Sequence, residues 1–258
     1  MKSKKILASL ICVIFVAVLL CGAYFSFTIK QVKGSFAFTE KISAQSVQKT
    51  LDKFVGGNLL SFDTESIKQE IEKEPYLKVI SVEKAYPNVV NVSVVERREV
   101  YLIDHGESTY ILDETGHVLS TLTDERKNSP EFNYRDFISL SLNGINVLGD
   151  VVIGESIKTS SPLVLSKAFE LAEYSRLTDC ISGMKVSVTP LTKDVVFSTY
   201  TGVSIEIYDL LIDGDEKIEL ALSLFESEDS DFVKSNGKLI VYSDVNSSVK
   251  AVWTKEQG

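Results

Sequence analysis

Val79-Ile80-Ser81-Val82-Glu83-Lys84-Ala85-Tyr86-Pro87-Asn88-Val89-Val90-Asn91-Val92-Ser93-Val94-Val95-Glu96-Arg97 decides how the first domain is read. Two strand-like runs, Tyr76–Lys84 and Val89–Glu96, flank a turn at Tyr86-Pro87-Asn88. In the second run Val90, Val92 and Val94 fall on one face, while Asn91 and Ser93 fall on the other. This period of two marks a strand with one buried side. Upstream, the period changes to that of a helix. Ser43 precedes Val47, Leu51 and Phe54/Val55, and Asp63 precedes Ile67 and Ile71, with Pro75 beyond. These spacings predict two amphipathic helices, each with a capping residue, separated by Gly56-Gly57-Asn58. With an opening strand within Gln31–Phe38, the order is β-α-α-β-β.

N-terminal to this unit, Ile6 to Ile29 carries no charge. As a helix those residues span about 36 Å, against about 30 Å for the hydrocarbon core of a bilayer. Tyr24, Phe25 and Phe27 sit at the distal end, where interfacial aromatics are enriched. Lys2, Lys4 and Lys5 precede the run, which favours an N-terminus inside and the bulk of the chain outside the cytoplasm. A cleavable signal peptide would have a shorter apolar run and a small-x-small site; only Cys21-Gly22-Ala23 approaches one. A lipoprotein would want a small residue before its cysteine, and Leu20 precedes Cys21. An uncleaved anchor over residues 6–29 is the expectation, after a cytoplasmic tail of residues 1–5.

Charge excludes some functions. The 258 residues carry 27 Lys+Arg and 36 Asp+Glu, a net −9. Setting aside the three lysines before the apolar run, the remainder carries −12. Only five arginines occur, none after Arg176. Nucleic-acid binding needs clustered cations to neutralise phosphates, so no nucleic-acid partner is expected. Cys180 is the lone cysteine outside the apolar run, which excludes a disulfide-stapled scaffold. Two histidines, His105 and His117, cannot make a three-histidine zinc site. Neither a catalytic centre, a cofactor nor a metal is expected.

Beyond Val100 the pattern turns to strands. Tyr101–Ile103 and Thr109–Leu112 frame Asp104-His105-Gly106, and Asp113-Glu114-Thr115-Gly116 leads into His117–Leu122. Residues 123–135 read as a loop. Ser161-Pro162 opens a helix with Leu165, Ala168, Phe169 and Ala172 inward. Met184–Thr189, Asp194–Thr199 and Gly202–Ile207 read as strands. Asp215 caps a helix with Ile218, Leu222 and Phe225 inward, and Lys238–Ser243 and Val249–Trp253 follow as strands. The acidic run Glu226–Asp231 lacks the glycine and ligand spacing of a calcium loop and reads as solvated. The fold class is α+β: a transmembrane helix, a small β-α-α-β-β domain over residues 30–98, and a larger mixed β domain with flanking helices over 99–253. Residues 254–258 form a tail. If the C-terminal strand lies outermost, it exposes an edge, with Ile240, Val241, Tyr242, Val249 and Trp253 as candidate partner-binding residues.

Three pieces resemble the FtsQ/DivIB family of bitopic cell-division proteins. Asn58-Leu59-Leu60-Ser61-Phe62-Asp63, Ile67, Ile71, Pro75 and the segment Val79–Arg97 resemble its POTRA domain. Tyr110-Ile111-Leu112-Asp113-Glu114-Thr115-Gly116-His117-Val118-Leu119 is similar to the hairpin opening its β domain. Asp215–Ala221 before Gly237–Tyr242 is similar to its terminal helix–strand pair. The chain departs from the family at Glu99, where proline is frequent, and at Val241-Tyr242-Ser243-Asp244, where the family has Asp-Leu-Arg-Tyr. The resemblance implies a non-enzymatic scaffold at the division septum that binds FtsL and FtsB/DivIC and helps control septal peptidoglycan synthesis, with the synthase as a further partner. Two other classes stand beside it. An anchored chain with His117 and Leu177-Thr178-Asp179-Cys180 resembles a sortase-like thiol transpeptidase, though no arginine follows Cys180 to serve an oxyanion. An export chaperone built on a POTRA unit is the other.

Overall fold

A computed structural model describes residues 11, 13–18, 22, 24–37, 42–174, 180–225 and 236–255. The lysines before the apolar run, the approach Leu177–Asp179 and the acidic run Glu226–Asp231 lie outside the described residues. Within the apolar run, residues 13–18 are helical with exposed side chains. Among the described residues no helix is long and apolar enough to cross a membrane. The chain divides into two compact units, residues 1–97 and 98–258.

In the first unit, β1 (Gln31–Ala37), α1 (Ala44–Leu51), α2 (Thr64–Ile71), β2 (Leu77–Ala85) and β3 (Val89–Glu96) form a sheet of order β1-β3-β2 with two helices. β3 is central, parallel to β1 and antiparallel to β2. Its Val90, Val92 and Val94 are buried with Val47, Leu51, Leu59, Ile67 and Ile71 in one core. Asp63 caps α2 by accepting from the Glu65 amide at 3.1 Å. Ser43 makes no side-chain cap bond, and α1 is held to the sheet by its buried Val47 and Leu51.

Among the described residues the second unit is built on one sheet of nine strands. Chain order gives β4 (Tyr101–His105), β5 (Ser108–Leu112), β6 (Val118–Thr121), α3 (Asp124–Lys127), β7 (Ile138–Asn143), α4 (Pro162–Tyr174), β8 (Ile181–Val188), β9 (Lys193–Thr199), β10 (Val203–Ile207), α5 (Gly214–Phe225), β11 (Gly237–Ser243) and β12 (Val249–Lys255). Spatial order is β12-β11-β10-β9-β8-β7-β4-β5-β6. α4 and α5 cover one face, burying Leu165, Ala168, Phe169, Ile218 and Ala221 against inward residues of β4 to β11, among them Phe197, Ile205, Leu239 and Val241. On the opposite face, Leu102, Ile111, Leu122 and Phe137 form a small cluster of their own.

Three expectations change here. Ile138–Asn143, unassigned in the sequence, is a strand buried at Ile138 and Leu140 that bridges β4 and β8. The segment 123–135 contains the turn of helix α3, capped by Thr123, whose hydroxyl accepts from the Arg126 amide at 3.3 Å. At the later helix, α5 begins at Gly214, so Asp215 lies in the first turn, where its carboxylate meets Lys167 of α4 at 2.8 Å.

Candidate partner-binding edge

The C-terminal hairpin closes one end of the nine-stranded sheet. β11 pairs with β10 in parallel on one side and with β12 antiparallel on the other. The expectation of an open edge at Lys238–Ser243 is therefore corrected: that strand is paired on both sides, because α5 returns the chain beside β10 and the hairpin then adds β12 outside it. The outermost strand is Val249–Lys255, so Thr254 and Lys255, expected in the tail, belong to it. Among the described residues no strand lies beyond it.

The direction of the exposed groups follows from one hydrogen bond. The Asp244 amide donates to the Ser248 carbonyl at 2.9 Å, in register with the pairs Tyr242↔Lys250 and Ile240↔Val252. Those are then the hydrogen-bonded pairs of the ladder, and Val249 and Ala251 between them turn their N–H and C=O groups to the outer side. The turn itself is pinned by Asp244, whose Oδ1 accepts from the amides of Asn246 at 2.8 Å and Ser248 at 3.0 Å, while Oδ2 meets Lys250 Nζ at 2.5 Å.

The five residues read from the sequence divide between two faces. Val241 is buried under the helices, and Val249 and Trp253 pack partly buried against the same core. Ile240 and Tyr242 stand half-buried on the opposite, helix-free face, with exposed Val252 across from Ile240. Tyr208 and Ile212 join them around a groove of about 680 Å³. The sequence reading missed Tyr208, Ile212 and Val252. Alternation with Ala251 and Trp253 would have placed Val252 on Ile240's face, but the loop carrying Tyr208 and Ile212 meets that face only through the parallel pairing of β10 and β11.

That loop is held from beneath. Lys217 of α5 is 1% exposed, and its ammonium donates to the carbonyls of Tyr208 at 2.8 Å, Asp209 at 3.2 Å and Ile212 at 2.7 Å. Burial pulls its pKa down; nearby Asp213, Asp209 and Asp194 oppose the change. The loop takes left-handed backbone at Asp209 (φ 47°) and Asp213 (φ 51°), a region where aspartate is among the better tolerated residues.

Cys180 and His117 are not brought together. Cys180 is exposed at the start of β8, and His117 precedes β6, four strand positions away and roughly 19 Å at ordinary strand spacing. The His117 backbone amide donates to Asp113 Oδ1 at 2.8 Å, in the turn before β6. Among the described residues, no group of three or more His, Cys, Asp or Glu is placed to hold a metal.

Residues 27–97 match the family model "POTRA domain, FtsQ-type". The chain is 32% identical over 78 residues to the cell division protein DivIB of Clostridium acetobutylicum, covering 30% of each chain. It is 27% identical over 81 residues to the cell division protein FtsQ of Bartonella bacilliformis, covering 31% of this chain and 26% of that one. To FtsQ of Streptomyces coelicolor it is 26% identical over 97 residues, 37% of each. The matches thus span between 26% and 37% of these relatives' lengths. Together the family model and the relatives support the FtsQ/DivIB family for this chain.

Proposed function

We propose, starting from a chain whose FtsQ-type POTRA domain and relatives support the FtsQ/DivIB family, that it is a non-enzymatic scaffold of the bacterial division septum. Residues 6–29 anchor it once in the cell membrane, with residues 1–5 in the cytoplasm and the POTRA and β domains outside. It assembles with FtsL and FtsB/DivIC and, through them, helps control septal peptidoglycan synthesis. Its partner surface is the outer side of β12, where an extended segment of FtsB/DivIC adds a tenth strand, with Val249 and Trp253 on that strand and Ile240 and Tyr242 beside it.

The observation that carries this reading is the position of β12: an end strand that turns the N–H and C=O groups of Val249 and Ala251 outward. Backbone groups of this kind are satisfied by strand addition, with neighbouring side chains supplying selectivity. The test is Ala251→Pro. Proline removes an outward-facing N–H and leaves the ladder to β11 intact, a placement that edge strands tolerate. The variant should keep its melting temperature and lose capture of co-expressed FtsB/DivIC. Unchanged capture by a stable Ala251→Pro chain would overturn the reading.

A further inference from the structure

The groove beside β12 has a chemical character of its own. Its body is apolar and aromatic: Tyr208, Ile212, Ile240, Tyr242 and Val252. Asp209, Asp213 and Asp244 line it as well. Asp244 is neutralised by Lys250 at 2.5 Å. Asp209 and Asp213 lie near enough to the Lys217 ammonium to oppose the fall in its pKa, but make no salt bridge with it. Asp209 Oδ1 accepts from the Lys193 amide at 3.1 Å, and Asp213 Oδ2 accepts from the Ser243 hydroxyl at 3.0 Å. Among the described residues neither carboxylate has a basic side chain within ion-pair distance. Among the described residues the one ammonium lining the groove, that of Lys217, donates to three carbonyls of the groove's own wall.

We infer that this groove receives an arginine or lysine of the segment that adds to β12, its methylene stem lying on Ile240, Val252 and the tyrosines and its cation reaching Asp209 and Asp213. The inference rests on strand addition at β12 as proposed above and names the side chain that addition selects. A long cationic side chain buries its stem on apolar surface while keeping its charge among polar groups. Aromatic ring faces attract it further. The geometry is that of a sheet: Val252 stands on the groove face of β12, so every second residue of an added strand stands on that face beside it. Arginine suits two carboxylates better than lysine, because its planar guanidinium presents several donors at once.

The experiment uses the full chain in its own cells, with p-benzoylphenylalanine placed at Ala251 in one strain and at Val252 in another, each crosslinked segment being sequenced by mass spectrometry. Both positions should crosslink one extended segment, and the Val252 adduct should lie within about two residues of an arginine or lysine, the interval set by strand alternation. Asp209→Asn with Asp213→Asn keeps the residue types that tolerate left-handed backbone and should cut the Val252 yield about two- to thirtyfold, the range for two exposed ion pairs. Asp209→Glu with Asp213→Glu should restore part of it, and thermal melting checks that both double variants fold. Adducts at both positions from a segment without a nearby cation, or yields indifferent to the asparagines, overturn the cation and leave strand addition standing. No adduct at either position overturns both.

Discussion

Trp253 lies over Gly237: a Cβ on that glycine would stand 2.6 Å from the indole Cζ2 and 2.7 Å from Cη2. The ring therefore occupies the space that any other residue at position 237 would need, on the same face as buried Leu239 and Val241. Gly237→Ala should displace the indole or lift β12 from β11, costing about 1–3 kcal/mol, the range for overpacking. Because Trp253 is the single tryptophan, its fluorescence reports the event directly. A red-shifted emission with a lowered melting temperature is expected; an unchanged spectrum would place the ring elsewhere.

Val92 tests the first unit in the same way. It is 1% exposed, at the centre of β3, paired with Gly34 of β1 and Val82 of β2. Val92→Asp places a carboxylate with no partner in that core and should cost about 3 kcal/mol or more. Calorimetry of the full chain should show the transition of the first unit lowered. A melting profile like that of the unsubstituted chain would mean that another face of β3 is buried.

The sequence carried some of this and withheld the rest. Val90, Val92 and Val94 were legible because each alternates with a polar or exposed neighbour, and Asp63 because capping chemistry is local. Ile138–Asn143 alternates as well, with Ser139 exposed between buried Ile138 and Leu140, but the run is short and follows a polar stretch containing Pro130. Its place between β4 and β8 depends on two parallel pairings, which no local pattern encodes. The candidate site shows the same limit. Alternation separates Ile240 and Tyr242 from Val241, while the identity of the outermost strand depends on how α5 returns the chain beside β10.

Glu99, which stands where the resembled family often has proline, binds Arg126 through both guanidinium nitrogens, Nη1 to Oε1 at 2.9 Å and Nη2 to Oε2 at 2.5 Å. The Glu99 side chain is only 10% exposed. Arg126 also lies 5.9 Å from the ring centres of Phe132 and Phe137. Arg126→Ala strands a largely buried carboxylate and should cost about 3 kcal/mol, near the value for breaking a buried pair from one side. Arg126→Lys should recover part of that, since it restores the charge without the planar fork. Equal melting temperatures for Arg126→Ala and the unsubstituted chain would show that the pair contributes nothing to stability.

Asp244 makes the C-terminal hairpin sensitive to acid. The Lys250 ammonium, followed by the amides of Ser248 and Asn246, pulls its carboxyl down to about 2, and Lys250 is raised in return. The folded value lies below the unfolded one, so the stabilisation is complete above the ordinary aspartate range and is lost as pH falls through about 2. Between those limits the turn linking β11 and β12 should loosen first, because Lys250 faces Tyr242 in the ladder and Asp244 holds both the turn and that lysine. Amide resonances of Asn246 and Ser248 should titrate together with a midpoint near 2. In Asp244→Asn that titration should vanish, and the edge strand should exchange its amides faster at neutral pH. A midpoint near 4, the unperturbed aspartate value, would mean that the carboxylate does not hold the turn.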